Sequence, residues 1–223
     1  MGMTTTSTTT LADMAVTHPA AARVFYRHGL DFCCGGRRPI AEACAIRGID
    51  VAALLAEIDH ESATTADQTR WDQAPLDTLV AFIVDTYHRR LRETFPDLLR
   101  MAARVEQRHG DKASCPRGLT AHLEAMHAAV LEHLDKEEQV LFPMIVSGRG
   151  QYAAGPAHVM EVEHDDHARS LEKLRALTNN MQPPAEACTT WRALYLALRQ
   201  FEEELMTHIH LENNVLFRRA LAV

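Results

Sequence analysis

The chain has 223 residues, 47% hydrophobic and 24% charged, with a formal net charge of −7 from 30 acidic and 23 basic residues. That length and composition suit one large domain, or one with a small companion, and exclude a disordered chain. The acidic balance, with no Lys/Arg block, argues against nucleic-acid binding. No apolar run approaches the roughly 18 residues of a membrane span, so no membrane association is expected. The opening MGMTTTSTTT lacks the basic start and apolar stretch of a secretory signal, and residues 1–10 read as a disordered lead-in.

Residues 11–60 break into short pieces. Those at 19–28 and 39–47 begin at Pro and stop at Gly29 and Gly48, and a third covers 50–59; these start and stop signals predict three short helices. Between the first two lies the glycine-rich loop Asp31-Phe32-Cys33-Cys34-Gly35-Gly36. The polar stretch ESATTADQT places a linker over 61–72. Beyond it, over 73–223, apolar residues recur at three- and four-residue steps in four long stretches: 75–109, 119–146, 157–180 and 185–222. No Val/Ile/Thr-rich alternating run suggests a strand. The expected fold is all-α: an up-down-up-down four-helix bundle preceded by a small helical, cysteine-containing domain.

Two of the long stretches carry polar residues where a core belongs. The second reads Leu119, Leu123, Met126, Val130, His133, Glu137, Val140, Met144 along one face, and the fourth reads Leu194, Leu198, Phe201, Leu205, His208, Glu212, Val215. Four residues are about 400° of helix, so each His lies nearly above its Glu. An unpaired carboxylate inside a bundle costs several kcal/mol, and a pair of metal ions held by imidazole and bridging carboxylate offsets that cost. The first stretch adds His88 on the face of Val84, Leu91 and Phe95. The third offers His164, with His167 competing for the same stripe; periodicity does not separate them. Carboxylate oxygen with imidazole suits iron or manganese, then zinc. The remaining histidines take the ordinary reading: His18, His28 and His60 lie in the small domain or at its edge, and His122, His127, His158 and His210 fall off the stripes or near helix ends and read as solvated; for His109, at the loop after the first long stretch, a place behind a ligand or along an access route is the alternative.

The five cysteines are Cys33, Cys34, Cys44, Cys115 and Cys188. An odd number with two adjacent argues against a disulfide framework and for a reduced, cytoplasmic setting. Cys44, Cys115 and Cys188 read as structural. Gly35, Gly36, Arg37 and Arg38 beside Cys33 and Cys34 suggest an exposed loop whose basic charge stabilises a thiolate.

The sequence resembles the RIC (repair of iron centres) family, the YtfE/ScdA-like di-iron proteins. The stretches HGLDFCCGG with a following EAC, HLDKEEQVLFPMI, VMEVEHDDH, ACTTW and HIHLENNVLFRRAL carry the likeness. The resemblance implies an ScdA-type N-terminal domain, a hemerythrin-like bundle, and two non-haem iron ions, oxo-bridged when oxidised. It places the ligands at His88, His133, Glu137, His164, His208 and Glu212, which chooses His164 over His167, and it matches Cys33 and Cys34 to the family's cysteine pair. It implies repair of iron–sulfur clusters damaged by nitrosative or oxidative stress, through donation of iron from a labile site to damaged iron–sulfur proteins. Two other readings compete: an enzyme reducing nitric oxide or peroxide at the same site, and a hemerythrin-type sensor binding O2 or NO. The bundle alone does not choose among them. The thiol loop argues against a plain carrier, and a homodimer is a further expectation.

Overall fold

The computed structural model describes residues 8–64 and 69–222. These are helices, turns and loops, with one β-bridge between Thr10 and Pro39. The N-terminal unit contains α1 (Leu11–Thr17), α2 (Ala20–Arg27), α3 (Ile40–Arg47) and α4 (Val51–Thr64). Helix α1 is absent from the three-helix expectation. Its start is nevertheless ordinary: the Thr10 hydroxyl accepts a hydrogen bond from the Asp13 amide at 3.1 Å, satisfying one of the free N–H groups of a first turn. Thr9 is also engaged, accepting from the Ile40 amide at 3.0 Å. Fixed backbone therefore begins inside the segment read as a lead-in, and residues 1–7 lie outside the described residues. Helix α4 likewise runs to Thr64, into the expected linker, of which 65–68 lie outside the described residues.

The bundle is built from four rods. The first joins α5 (Leu76–Ile83) to α6 (Arg89–His109) through a π turn, Val84–His88. The second joins α7 (Leu119–Lys136) to α8 (Phe142–Val146) through a π turn, Glu137–Leu141. The third is α9 (Ala154–Leu177), and the fourth joins α10 (Thr189–His210) to α11 (Phe217–Leu221) through a π turn, Leu211–Leu216. Helix α6 packs on α7 and α10, and α7 packs on α9, giving the expected up-down-up-down order.

The π turns change which residues face inward. A π turn inserts one extra residue into the helix, so the apolar stripe after it is displaced by about one position. Val140, read as inward from a regular 3.6-residue period, is therefore 51% exposed, while Leu141 and Ile145 are buried instead. Met144 is only half-buried for the same reason.

The polar residues of the stripes form a layer between two apolar clusters. On one side lie Leu79, Ile83, Leu141, Phe142, Ile145, Met160 and Phe217. On the other, the bundle residues Leu91, Phe95, Val130, Leu171 and Leu205 continue without a break into the N-terminal unit through Phe25, Phe32, Leu54 and Ile58. Tyr26 reinforces this seam by donating to the Arg199 carbonyl at 2.7 Å.

His210 lies in the same seam and is not solvated. It is buried, packs edge-on against Phe32 at 5.6 Å, and shares a 3.1 Å hydrogen bond with Asn214. Two residues past His208 on a helix is about 200°, so His210 faces away from the polar layer and into the small domain. Replacement of His210 by Ala is expected to leave metal uptake unchanged while lowering stability by about 1–3 kcal/mol, the cost of a lost buried hydrogen bond and its packing. Chemical denaturation alongside metal analysis checks this; equal loss of metal in His210→Ala and His208→Ala would contradict the assignment of faces.

Candidate metal centre

Four rods bring His88, His133, Glu137, His164, His208 and Glu212 together, each at most 2% exposed. Their donor atoms form two quartets, His88/Glu137/His208/Glu212 and His133/Glu137/His164/Glu212, within each of which all donors lie within 4.8 Å of one another. Both carboxylates belong to both quartets. Glu137 Oε2 is 3.5 Å from His88 Nε2 and 3.4 Å from His133 Nε2, so it straddles the two. Glu212 divides its oxygens: Oε1 sits 2.7 Å from His208 Nε2, and Oε2 sits 3.2 Å from His164 Nε2. Two of the π turns end or begin at such a donor, His88 and Glu137, and the third contains Glu212.

The outer faces of the imidazoles set their inner chemistry. His88 Nδ1 donates to Glu138 at 2.8 Å, His133 Nδ1 to Glu163 at 2.9 Å, and His164 Nδ1 to the Asn213 side-chain oxygen at 2.8 Å. In a neutral imidazole a proton on Nδ1 leaves a bare lone pair on Nε2. Burial, then the neighbouring His164, pushes the His133 pKa far down, so that ring is neutral. His133 Nε2 and His164 Nε2 therefore face each other as two acceptors at 3.0 Å. Two lone pairs at that distance repel unless a cation sits between them, and about 3.0 Å is the separation of adjacent donors each roughly 2.1 Å from one metal ion. His88 Nε2 and His208 Nε2 repeat the 3.0 Å spacing.

The carboxylates make the same demand. Neither oxygen of Glu137 has a hydrogen-bond partner, and Glu212 Oε2 has none either. Burial, then the charge of Glu212, pushes the Glu137 carboxyl well above its ordinary value. For Glu212 burial pushes upward too, but His208 and the close approach of the His164 and His88 imidazoles outweigh it and hold it well below. A donor set of two imidazoles and two shared carboxylates per position fits a pair of divalent cations and leaves coordination free on each.

The partners behind the ligands were not legible as such. Glu138 is held by Arg92 at 2.7 Å and Glu163 by Lys136 at 2.6 Å, so each outer carboxylate carries its own counter-charge. Burial pushes Glu138 up, yet His88 and Arg92 outweigh it and keep the carboxyl ionised. The available signal was adjacency: Glu138 follows Glu137, Glu163 precedes His164, and Asn213 follows Glu212, each rotated about 100° off the stripe.

His167 is buried beside the quartets with its ring 5.0 Å from that of His133, but its nitrogens belong to neither quartet. His109 is remote from them. It ends α6, roughly 30 Å along the helix from His88, and lies 3.2 Å from Cys188 Sγ, so it neither supports a ligand nor borders an access route. Cys188 is exposed and is no part of the core, whereas Cys44 and Cys115 are buried. His122, read as solvated, is buried and bonds the Ser170 carbonyl at 2.8 Å, and His127 stacks on Phe95 at 4.7 Å.

The cysteine loop is also different from its expectation. It wraps around the Asp31 carboxylate, which accepts from the amides of Cys33, Cys34 and Gly35 at 2.9–3.1 Å. Gly36 is required there, since a Cβ would stand 2.4 Å from the Phe32 carbonyl oxygen. Cys33 is buried; its thiol meets Cys34 and Asp31, and these contacts with burial push its pKa well above the usual thiol value, the reverse of an arginine-stabilised thiolate. Cys34 is half-buried, and its Sγ lies 3.5 Å from the carbonyl of His164. The pair rests on the helix that presents His164. Asn214 fixes it there by donating to the carbonyls of Phe32 at 3.3 Å and Cys33 at 3.2 Å.

This arrangement, four helices around paired His/Glu quartets, is that of a hemerythrin-type protein. The family model described as "Hemerythrin HHE cation binding domain" matches residues 79–220, and "Domain of Unknown function (DUF542)" matches residues 7–62. The chain is 46% identical over 211 residues to a Yersinia pseudotuberculosis (strain IP 31758) protein named "Iron-sulfur cluster repair protein YtfE", covering 95% of this chain and 96% of that one. Proteins of the same name from Musicola paradisiaca (strain Ech703) and Yersinia pestis (strain Pestoides F) are also 46% identical, covering 95% and 96% of their lengths. The chain belongs to the RIC family of YtfE/ScdA-like, hemerythrin-domain proteins.

Because Asn213 and Glu163 fix the orientation of two inward imidazoles, Asn213→Ala and Glu163→Ala are each expected to weaken metal binding by about 10–100-fold while leaving the helical content unchanged. Competition with a chromogenic chelator checks this.

Proposed function

We propose that the two quartets hold two non-haem iron ions and that the protein repairs damaged iron–sulfur clusters by delivering iron. The observation that carries the iron reading is the opposed pair of bare Nε2 atoms on His133 and His164, enclosed with two carboxylates that lack partners. The relatives named for iron–sulfur cluster repair support the role, and the position of the cysteine loop supports delivery.

In this reading iron is cargo, and the chain's own residues hold and release it. Glu137 and Glu212 supply the negative charge shared by both positions, and four imidazoles supply nitrogen donors, those of His88, His133 and His164 oriented from behind by Glu138, Glu163 and Asn213. Cys34 borders a cleft of about 300 Å³ together with Arg37, Asp165 and Asn213. A soft sulfur ligand next to the backbone of His164, in a cleft open to solvent, is suited to capture a departing ion or to contact a client cluster. Damaged iron–sulfur proteins are the partners this chemistry implies.

Anaerobically purified protein is expected to contain about two irons per chain, the usual content of bundle carboxylate sites, by metal analysis and Mössbauer spectroscopy. One tightly held zinc with rejection of iron would refute this. Glu137→Ala or Glu212→Ala should lose more metal than any single His→Ala, because each carboxylate serves both positions.

The double change Cys33→Ser, Cys34→Ser is expected to preserve iron content and lower the recovery of a damaged iron–sulfur enzyme supplied with the loaded protein. Unchanged recovery, with the N-terminal unit shown to be folded, would reduce the pair to packing.

A further inference from the structure

One turn below the quartets, the bundle has a layer set by register: Leu91, Val130, His167 and Leu205, each three residues from a ligand histidine of its own rod. All four are buried, and three are apolar. His167 is the exception, 5% exposed, with its Nε2 shielded from solvent and lacking any hydrogen-bond partner. An unsatisfied buried nitrogen costs about 1–3 kcal/mol, which a leucine at the same place would avoid. A group supplied at the centre above it would offset that cost by accepting from Nε2.

The distances decide which kind of group. The donor atoms of the adjoining quartet lie within 4.8 Å of one another, and His167 is not among them, so it is set back from coordination itself. Its ring stands edge-on to His133 at 5.0 Å and lies 6.4 Å from His164. A group too far to coordinate a metal is placed to bond something that does: a coordinated atom lies roughly 2 Å from the ion, and a hydrogen bond adds roughly 2.9 Å. Charge points the same way. With Glu138 and Glu163 neutralised by Arg92 and Lys136, two divalent cations and two carboxylates leave the centre positive, so the ligand that completes it is an anion.

We propose that His167 donates a hydrogen bond from Nε2 to a small anion bound at the metal position of His133 and His164, making that position the preferred one for exogenous ligands. The inference rests on the di-metal reading and gives that site a ligand class and a selecting residue.

The test uses the full-length, iron-loaded, oxidised protein with azide as probe, following the ligand-to-metal absorption band. His167→Leu should keep the iron content and weaken azide binding about tenfold, equivalent to about 1.4 kcal/mol; His167→Gln, which keeps an N–H donor, should recover part of the loss. Equal azide affinity in wild type and His167→Leu at equal iron content would overturn the proposal and leave His167 a packing residue. Loss of iron in His167→Leu would overturn it differently, by making His167 a ligand. Iron analysis before azide is added separates both results from failure of the di-metal reading, in which the wild-type protein itself takes up no iron.

Discussion

Glu137 and Glu212 are fully buried and within reach of each other, in the middle of a bundle that is otherwise apolar above and below. Two carboxylates in such a place are tolerable only if their charge is matched nearby, since the penalty for an uncompensated buried ion is several kcal/mol. The surrounding side chains do not match it. The four imidazoles present lone pairs or shared protons, and the cations Arg92 and Lys136 are already engaged by Glu138 and Glu163 on the outer side of the rings. That outer arrangement matters as much as the inner one, because a histidine whose Nδ1 proton is held by a carboxylate has its Nε2 committed as an acceptor. The core is therefore organised around cation binding, and the fold is the means of bringing one histidine from each rod to the same level.

Much of this was legible in the sequence because the helical period carries it. His133 with Glu137 and His208 with Glu212 interrupt apolar stripes at a four-residue step, and no surface helix explains two such interruptions. His88 followed from the same reasoning. The choice of His164 over His167 came from the family resemblance and not from the period: both are buried on α9, and the donor quartets contain His164 alone. Val140 failed because the reading assumed an unbroken α-helix, whereas a π turn begins at Glu137 and moves the stripe to Leu141. The stripe residues before the π turns in the second and fourth rods were read correctly, as expected if the extra residue enters at the ligand level. A π turn leaves no period of its own in five residues, so its presence had to come from the structure.

The position of the small domain was also beyond the sequence, since chain separation says nothing about separation in space. Helices α3, α4 and α5 and a linker separate Cys34 from His88 along the chain, yet its sulfur lies against the carbonyl of His164. The connection runs through three consecutive residues of the last rod. Glu212 faces the centre, Asn213 orients His164, and Asn214 holds the cysteine loop by its backbone. Successive residues on a helix point about 100° apart, so one turn can address three environments at once. His210 extends the same device one turn earlier by packing on Phe32. Loop, ligand orientation and bundle core thus share one segment, and a displacement of the small domain would be felt first at Asn213 and His164.

The two quartets are consequently unlike in their surroundings, although each consists of two imidazoles and the same two carboxylates. The position of His88 and His208 is flanked by aromatic rings, with Phe142 stacked on His88 at 5.5 Å and Tyr87 on His208 at 5.8 Å. The quartet of His133 and His164 has Phe217 stacked on His164 at 6.1 Å and adds Asn213 behind it, His167 beneath it and the thiol of Cys34 across one helix backbone. Polar side chains can hydrogen-bond an incoming anion and a thiol can ligate a departing cation, roles that a hydrocarbon ring does not fill. If the quartets hold ions as proposed, exchange with the outside would fall at the His133/His164 end, where these side chains lie. Because Glu137 and Glu212 belong to both quartets, an ion held in either one would still offset both carboxylates if the other were vacated, and the bundle would not have to bury two bare charges.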